Sequence, residues 1–159
     1  MLQRLLEIFL PTGRGLQAES REFIAGLANA KIWVLVIGLR GAPSVSGSLS
    51  DPTVIDILAA NYKDLADLGD DDSVFPFNFE RDGTQVLPFF STKEQSQEFM
   101  AGFDGGTGPF QPYELMAGFL AMPQNDDFAL VLDAGSPAER EIGHAERRLL
   151  RRLARPQGE

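Results

Sequence analysis

Three hydroxyl side chains, those of Ser91, Thr92 and Ser136, stand directly before segments that carry helix-start signals. A serine or threonine nucleophile needs a general base within hydrogen-bond reach, and neither a nucleophile elbow nor a Ser-x-x-Lys pattern surrounds these positions. Capping of helix N-termini by the hydroxyl oxygen explains all three. The functional alternative is an anion site, because backbone N–H groups at a helix N-terminus attract a carboxylate or phosphate. On that alternative the ligand-binding residues are Ser91, Thr92, Gly135 and Ser136.

The other side chains that could carry chemistry form no recognisable constellation. The chain has one histidine, His144, and no cysteine, which excludes disulfides, thiolate metal sites, cysteine nucleophiles and multi-histidine sites. The polar runs at 70–72 and 125–127 lack the Asp-x-Asp-x-Asp-Gly spacing of a calcium loop, and the glycines between 102 and 108 lack the Gly-Lys-Ser/Thr of a phosphate loop. We therefore expect no catalytic residue, no metal and no cofactor.

Charge and composition restrict the partners. The 159 residues are 43% hydrophobic and carry a formal net charge of −9, with 12 acidic and 3 basic residues between positions 51 and 104. Such a chain repels nucleic acid, whose affinity for proteins depends on lysine and arginine contacts. The chain has no apolar run long enough for a membrane span, and its first ten residues make a poor signal peptide. We expect no nucleic-acid partner, no stable membrane insertion and a cytoplasmic location.

The C-terminal end is basic, with 6 arginines and 4 glutamates between positions 138 and 159. A helix there can bind an acidic partner or an anionic membrane, but its apolar stripe is too short for firm insertion. We expect it to dock on its own domain or on a symmetry-related copy. A second amphipathic segment at 2–10 also needs cover, so we predict a weak homodimer. The apolar stripe of the C-terminal helix consists of Ile142, Leu149, Leu150 and Leu153.

Hydrophobic periodicity and capping signals predict the elements that position these residues. Strands are predicted at 31–38, 74–80, 85–90 and 128–133, and the first, apolar throughout, should be central and covered on both faces. Phe75, Phe77 and Phe79 should share one face of the second strand. Met116, Phe119 and Leu120 should point inward from a helix. Helices are predicted at 2–10, 17–29, 52–65, 93–103 and 111–121, followed by a final helix capped by Ser136 and Pro137. Asp51 and Pro52 should be the N-cap and first residue of the third helix, and Phe99, Met100 and Phe103 should point inward from the fourth. Asp82-Gly83 should form the turn between the second and third strands.

Two short motifs resemble one known family. Residues 82–94 read Asp-Gly-Thr-Gln-Val-Leu-Pro-Phe-Phe-Ser-Thr-Lys-Glu, and residues 129–137 read Ala-Leu-Val-Leu-Asp-Ala-Gly-Ser-Pro, with Asp133-Ala134 in place of the usual Asn-Pro. They resemble the SseB N-terminal-domain family, named after the bacterial enhanced serine sensitivity protein, over residues 16–143. The resemblance implies a fold and a bacterial origin, without a settled biochemical activity. The matching residues are Gly83, Leu87, Pro88, Phe90, Ser91 and Glu94 in the first motif, and Gly135, Ser136 and Pro137 in the second.

Taken together, these patterns predict a single α+β domain over residues 1–159, with a mixed sheet of about four to five strands flanked by helices. We expect a non-catalytic binding or regulatory module that acts through contacts with an unknown protein partner. The alternative is a sensor or enzyme for a small ligand, such as an amino acid or another carboxylate, held by helix N-termini near Ser91 and Ser136.

Overall fold

The computed structural model describes residues 17–45 and 48–154. These residues form four α-helices, named α1 (Ala18–Ala28), α2 (Pro52–Asn61), α3 (Lys93–Gly102) and α4 (His144–Ala154). Three 3₁₀ helices cover Leu65–Asp67, Ala117–Ala121 and Pro123–Asn125. Within the described ranges, no helix is both long enough and apolar enough to cross a membrane. The predicted amphipathic helix at 2–10 lies outside them.

Eight strands form one mixed sheet in the described part of the chain. They are β1 (Lys31–Leu39), β2 (Tyr62–Lys63), β3 (Ser73–Pro76), β4 (Phe79–Arg81), β5 (Thr84–Phe90), β6 (Gln111–Met116), β7 (Ala129–Leu132) and β8 (Arg140–Ile142). The main path through the sheet is β2-β1-β5-β7-β8, while β3 and β6 pair with β1 and β4 pairs with β5. The α+β class is confirmed. The predicted count of four to five strands is wrong for three reasons. Strands β2 and β8, with two and three residues, are too short to show an alternating pattern. Strands β3 and β4 were predicted as one strand, and β6 was predicted as a helix.

Strand β1 occupies the centre of the sheet, as its continuous apolarity predicts. Successive side chains of a strand point to opposite faces, and Leu35 and Val36 are each only 1% exposed. Both faces of β1 are therefore covered. Where β1 meets β2, a Cβ on Gly38 would overlap the backbone carbonyl oxygen of Lys63, so only glycine fits there.

The Asp-Gly dipeptide makes the predicted tight turn between β4 and β5. Asp82 has φ 52° and Gly83 has φ 83°, and Arg81 pairs with Thr84 on either side of them. Two successive positive φ values are typical of a type I′ turn, whose twist matches that of the flanking strands.

Contacts divide the chain into two compact units. Among the described residues, unit 1 comprises 17–31, 115–126 and 142–154, and unit 2 comprises 32–114 and 127–141. Each unit is assembled from separate stretches of sequence. The expectation of one domain over residues 1–159 stays a prediction.

Unit 1 is helical. Ile24 of α1 and Leu150 of α4 are fully buried, and both helices contact the 3₁₀ helix Ala117–Ala121. The predicted helix at 17–29 is confirmed as α1, with Leu27 also buried.

Unit 2 has an aromatic core. Phe77 packs edge-on against Phe103 and Phe110, with ring centroids 5.2 Å apart in both pairs. Phe99 of α3 packs against Phe90 at 5.4 Å. Aromatic pairs of this kind contribute about 0.5–1.5 kcal/mol beyond the area they bury. The predicted helix at 93–103, with Phe99 and Phe103 inward, is confirmed.

The predicted strand 74–80 is interrupted. Strand β3 ends at Pro76 and β4 begins at Phe79, although Phe75, Phe77 and Phe79 all contribute to the unit 2 core. Between the two strands, the Asn78 side chain is 1% exposed and accepts a hydrogen bond from the Leu49 amide at 3.2 Å. Asn78 is thus a buried polar residue whose hydrogen bond comes from a loop and not from a neighbouring strand.

The helix predicted at 52–65 is shorter than expected. Asp51 caps it, because its carboxylate accepts a hydrogen bond from the Thr53 amide at 2.9 Å, and Pro52 is its first residue, as predicted. It ends at Asn61 because Tyr62 and Lys63 pair with β1 instead. Leu65 consequently lies in a 3₁₀ helix and not on α2.

The helix predicted at 111–121 is wrong. Gln111–Met116 forms β6, which pairs with β1, and Ala117–Ala121 is a 3₁₀ helix. Leu120 is buried, but Met116 and Phe119 are 39% and 59% exposed. The hydrophobic pattern of residues 111–116 favours a helix, but pairing with β1 makes this segment a strand.

Candidate functional site

The candidate ligand-binding residues lie at one end of a parallel strand pair in unit 2. Strands β5 and β7 pair in parallel, with Phe89 opposite Leu132. The Asp133 amide extends this pairing by donating to the Phe89 carbonyl oxygen at 2.7 Å. The segment that follows β5 and the segment that follows β7 therefore leave the sheet at the same end.

Ser91 and Asp133 are bonded to each other at this end. The Ser91 amide donates to Asp133 Oδ1 at 2.8 Å, and the Ser91 hydroxyl donates to Asp133 Oδ2 at 2.9 Å. Asp133 is 8% exposed, and a buried carboxylate is stable only when donors satisfy it. Asp133 also has φ 51°, in the left-handed region that aspartate tolerates better than most residues. This carboxylate occupies both donors of Ser91, one of the four residues that the anion-site alternative assigns to a ligand.

Thr92 caps α3. Its hydroxyl oxygen accepts a hydrogen bond from the Gln95 amide at 3.1 Å. The sequence offers two overlapping capping patterns, starting at Ser91 and at Thr92, and the structure uses the second. Ser91 is free of the capping role because its hydroxyl bonds to Asp133.

Gly135 and Ser136 belong to a turn. Ser136 was expected to cap the final helix, and this expectation is wrong: β8 follows the turn, and α4 begins only at His144. The Ser136 hydroxyl instead accepts a hydrogen bond from the Ala138 amide at 3.1 Å within the turn. Among the described residues, α3 begins directly after Ser91 and Thr92, whereas no helix begins at Ser136. The short strand β8, with three residues, gave no recognisable signal in the sequence.

A second carboxylate fills the donors of the same turn. The Gly135 amide donates to Glu139 Oε1 at 2.9 Å, and Arg81 makes a two-point ion pair with Glu139 at 2.9 and 3.0 Å. Hydrogen bonds from Arg81 and Gly135 lower the pKa of the Glu139 carboxyl, and the same carboxylate raises the pKa of Arg81. Sequence reasoning missed this pair because 58 positions separate its members.

Sequence reasoning also gave Asp133 no role. The available signal was its position: an acidic residue directly after the buried strand β7, in the second motif, where the family pattern has asparagine. Asparagine and aspartate both place an oxygen within reach of the neighbouring strand end. Only aspartate offers two equivalent acceptors, which is what Ser91 uses.

Two other polar residues that the sequence analysis considered, in the run at 70–72 and at His144, form no ligand site with their neighbours in the described residues. Asp72 accepts hydrogen bonds from the amides of Gly41 and Gly69, both at 2.8 Å, and from the Lys63 ammonium at 2.6 Å. These donors hold the pKa of Asp72 well below its usual range. His144 is exposed at the start of α4. In the described residues, no group of three or more histidine, aspartate or glutamate side chains is arranged to hold a metal ion.

Comparisons with models of protein families, with curated proteins and with solved structures find no match for this chain. The chemistry of the site therefore follows from its own geometry. That geometry is a strand-end cluster in which serine and glycine donors bind aspartate and glutamate of the same chain.

Proposed function

We propose that the protein is an SseB-like, non-catalytic binding or regulatory module of the bacterial cytoplasm that acts through contacts with other proteins. The observation that carries the proposal is the bonding of Ser91 to Asp133. The amide and hydroxyl of Ser91, which could otherwise bind a small anion, already bind a carboxylate that the chain supplies itself.

An incoming anion would have to displace Asp133. A group tethered in place competes at a high effective concentration, so a free carboxylate is at a disadvantage. The displaced Asp133 would also lose both donors while 8% exposed, and an unpaired buried charge is strongly destabilising. Glu139 presents the same obstacle at Gly135.

Exposed apolar side chains support a role in protein contacts. Phe119 of unit 1 is 59% exposed and Ile55 of unit 2 is 50% exposed. Large apolar side chains in water favour association when neighbouring groups complement each other. We propose an unidentified protein partner and, in addition, a weak homodimer.

A small-ligand sensor or enzyme is the second candidate function. It is favoured by one observation: Ser91 and Gly135 follow the carboxyl ends of the adjacent parallel strands β5 and β7, which is where ligands bind in open sheets with parallel strands. A ligand would then have to bind by releasing Asp133 or Glu139.

Two measurements on the full chain separate these functions. The first is a thermal-shift screen against amino acids, other carboxylates and nucleotides, with Ser91→Ala as the matched variant. The second is affinity capture from cell extract, followed by reconstitution of any candidate complex from purified proteins. We expect a reconstituted complex and no ligand-dependent shift. A carboxylate that raises the melting temperature of the original chain, but not of Ser91→Ala, would establish the second candidate instead.

A further inference from the structure

The two compact units carry opposite net charge. Within the described residues, unit 1 has six basic and four acidic side chains, whereas unit 2 has five basic and seventeen acidic ones. Unit 1 of one molecule is therefore complementary in charge to unit 2 of another. Complementary charge steers association and fixes which surfaces meet, but it needs apolar contacts to give affinity.

Unit 1 provides an exposed apolar surface along its 3₁₀ helix. A 3₁₀ helix has three residues per turn, so side chains three positions apart lie on one side. Ala117 and Leu120 form a buried row, and Gly118 lies against Ala154 of α4 so closely that a Cβ would overlap it. The third row faces solvent. Phe119 lies on it and is 59% exposed. Met116 and Met122, which directly flank the 3₁₀ helix three positions before and after Phe119, are 39% and 40% exposed. These three residues are called the Met-Phe stripe below.

Helix α4, which packs against this 3₁₀ helix, carries three arginines of interest. Arg151 donates from Nε to the Ala121 carbonyl oxygen at 2.5 Å, which anchors α4 to the 3₁₀ helix. Arg148 and Arg152 lie on the next row of α4, one turn apart, and both are exposed. Neither makes an ion pair with any part of the chain that the structure describes. Both guanidinium groups are available to an acidic surface.

Unit 2 provides a surface of matching chemistry on α2. Ile55 is the most exposed large apolar side chain of this unit among the described residues, and Asp56 beside it is exposed and makes no ion pair there. Asp51 lies one turn before Ile55 at the N-terminus of the helix, and Ala59 lies one turn after it. The outer face of α2 thus combines an apolar centre with carboxylates beside it.

We propose that the Met-Phe stripe of one copy docks on the outer face of α2 of a second copy, with Phe119 against Ile55 and with Arg148 and Arg152 opposite Asp56. The inference rests on the proposed function, because it specifies which surfaces of the chain meet in the weak self-association. It joins the most exposed large apolar side chain of each unit and pairs exposed arginines of α4 with an exposed carboxylate of α2. A contact between one helix face and one short stripe is small, which fits weak, reversible association.

Sedimentation equilibrium of the full chain at low salt tests the docking. We expect reversible self-association that disappears at about 1 M salt, where charges are screened beyond about 3 Å. Phe119→Ser and Ile55→Ser should each raise the dissociation constant about tenfold, as loss of an interface anchor does. Tyr113→Ser, which removes another exposed apolar side chain of unit 2, should leave it unchanged.

A charge swap provides the decisive control. Arg148→Asp and Asp56→Arg should each weaken association, and the chain that carries both substitutions should regain it, because opposite charges face each other again. Arg21→Asp removes an exposed arginine of α1 and should have no comparable effect. Melting temperatures of all variants show whether each one folds.

The outcomes distinguish this inference from the proposed function. A monomer at low salt and high protein concentration overturns the docking, and so does a dimer that is indifferent to Phe119→Ser or unrepaired by the charge swap. Neither result affects a complex reconstituted with a different protein. Absence of any protein complex, together with ligand binding at Ser91, would instead overturn the proposed function.

Discussion

The Asp133 carboxylate accepts two hydrogen bonds from one residue, the amide and the hydroxyl of Ser91, at 2.8 and 2.9 Å. This two-point contact ties the turn after β7 to the start of α3. The segments after β5 and β7 lie where ligands bind in other sheets with parallel strands. Here they bind each other instead. A serine that sequence reasoning associates with capping or with an anion thus has a third role, as the donor to a buried carboxylate.

Ser91→Ala should lower the free energy of unfolding by about 1–2 kcal/mol, since a hydrogen bond to a charged group is lost and Asp133 stays buried. Ser136→Ala is the matched control. Its hydroxyl bonds only within a turn, so we expect a change below about 0.5 kcal/mol. Urea unfolding measures both. Equal losses in the two variants would contradict the assignment of Ser91 as the structural donor.

Asp72 should make stability depend on pH. Its pKa in the folded chain is depressed below the ordinary 3.8 by the Gly41 and Gly69 amides and by Lys63. Its contribution is therefore complete above the unfolded pKa and is lost as pH falls through 3.8 towards the folded pKa.

The measurement for Asp72 is urea unfolding of the original chain and of Asp72→Asn across a pH series. Asp72→Asn should be the less stable at neutral pH, and the difference should shrink in acid. Asp70→Asn, at an exposed neighbouring position, is the matched control variant. A difference that is constant down to strong acid would exclude the carboxylate as its source.

Sequence patterns predict this structure well where the interacting residues are close in the chain, and poorly where they are far apart. Signals that act within a few residues are confirmed: the Asp82-Gly83 turn, the Asp51 cap and the apolar run of β1. The errors concern pairing between distant segments. Residues 111–116 join β1, and the residues after Ser136 form β8, although local patterns at both places favour a helix.

The same distinction holds for the candidate site. Sequence motifs drew attention to Ser91 and Gly135, which the structure places at the ends of adjacent strands. They could not reveal that Asp133 and Glu139 bind the donors of these residues, because each contact depends on how the turn after β7 folds back.

Gly38→Ala should destabilise the sheet by about 1–3 kcal/mol, as overpacking does. The added Cβ would overlap the Lys63 carbonyl oxygen, a backbone atom that cannot move without disturbing the pairing of β1 with β2. Gly26→Ala is the control: it lies in α1 with no atom within 4 Å of the added Cβ, and it should gain about 0.5–1 kcal/mol from helix propensity. Denaturant midpoints that move in the same direction for both would contradict the close approach at Gly38.

Phe77 and Phe119 should differ sharply in their effect on stability, although the sequence favours a buried position for both. Phe77 is 6% exposed and packs against Phe103 and Phe110, so Phe77→Ala should cost about 3–5 kcal/mol, as for other large core residues. Phe119 is 59% exposed, and Phe119→Ala should change the free energy of unfolding by less than about 0.5 kcal/mol. Urea unfolding should be measured at low protein concentration and high salt, where self-association is suppressed and only the stability of the single chain is compared. A loss of several kcal/mol in Phe119→Ala would mean that this side chain is packed within the monomer, and the Met-Phe stripe would then not be a surface open to a second copy.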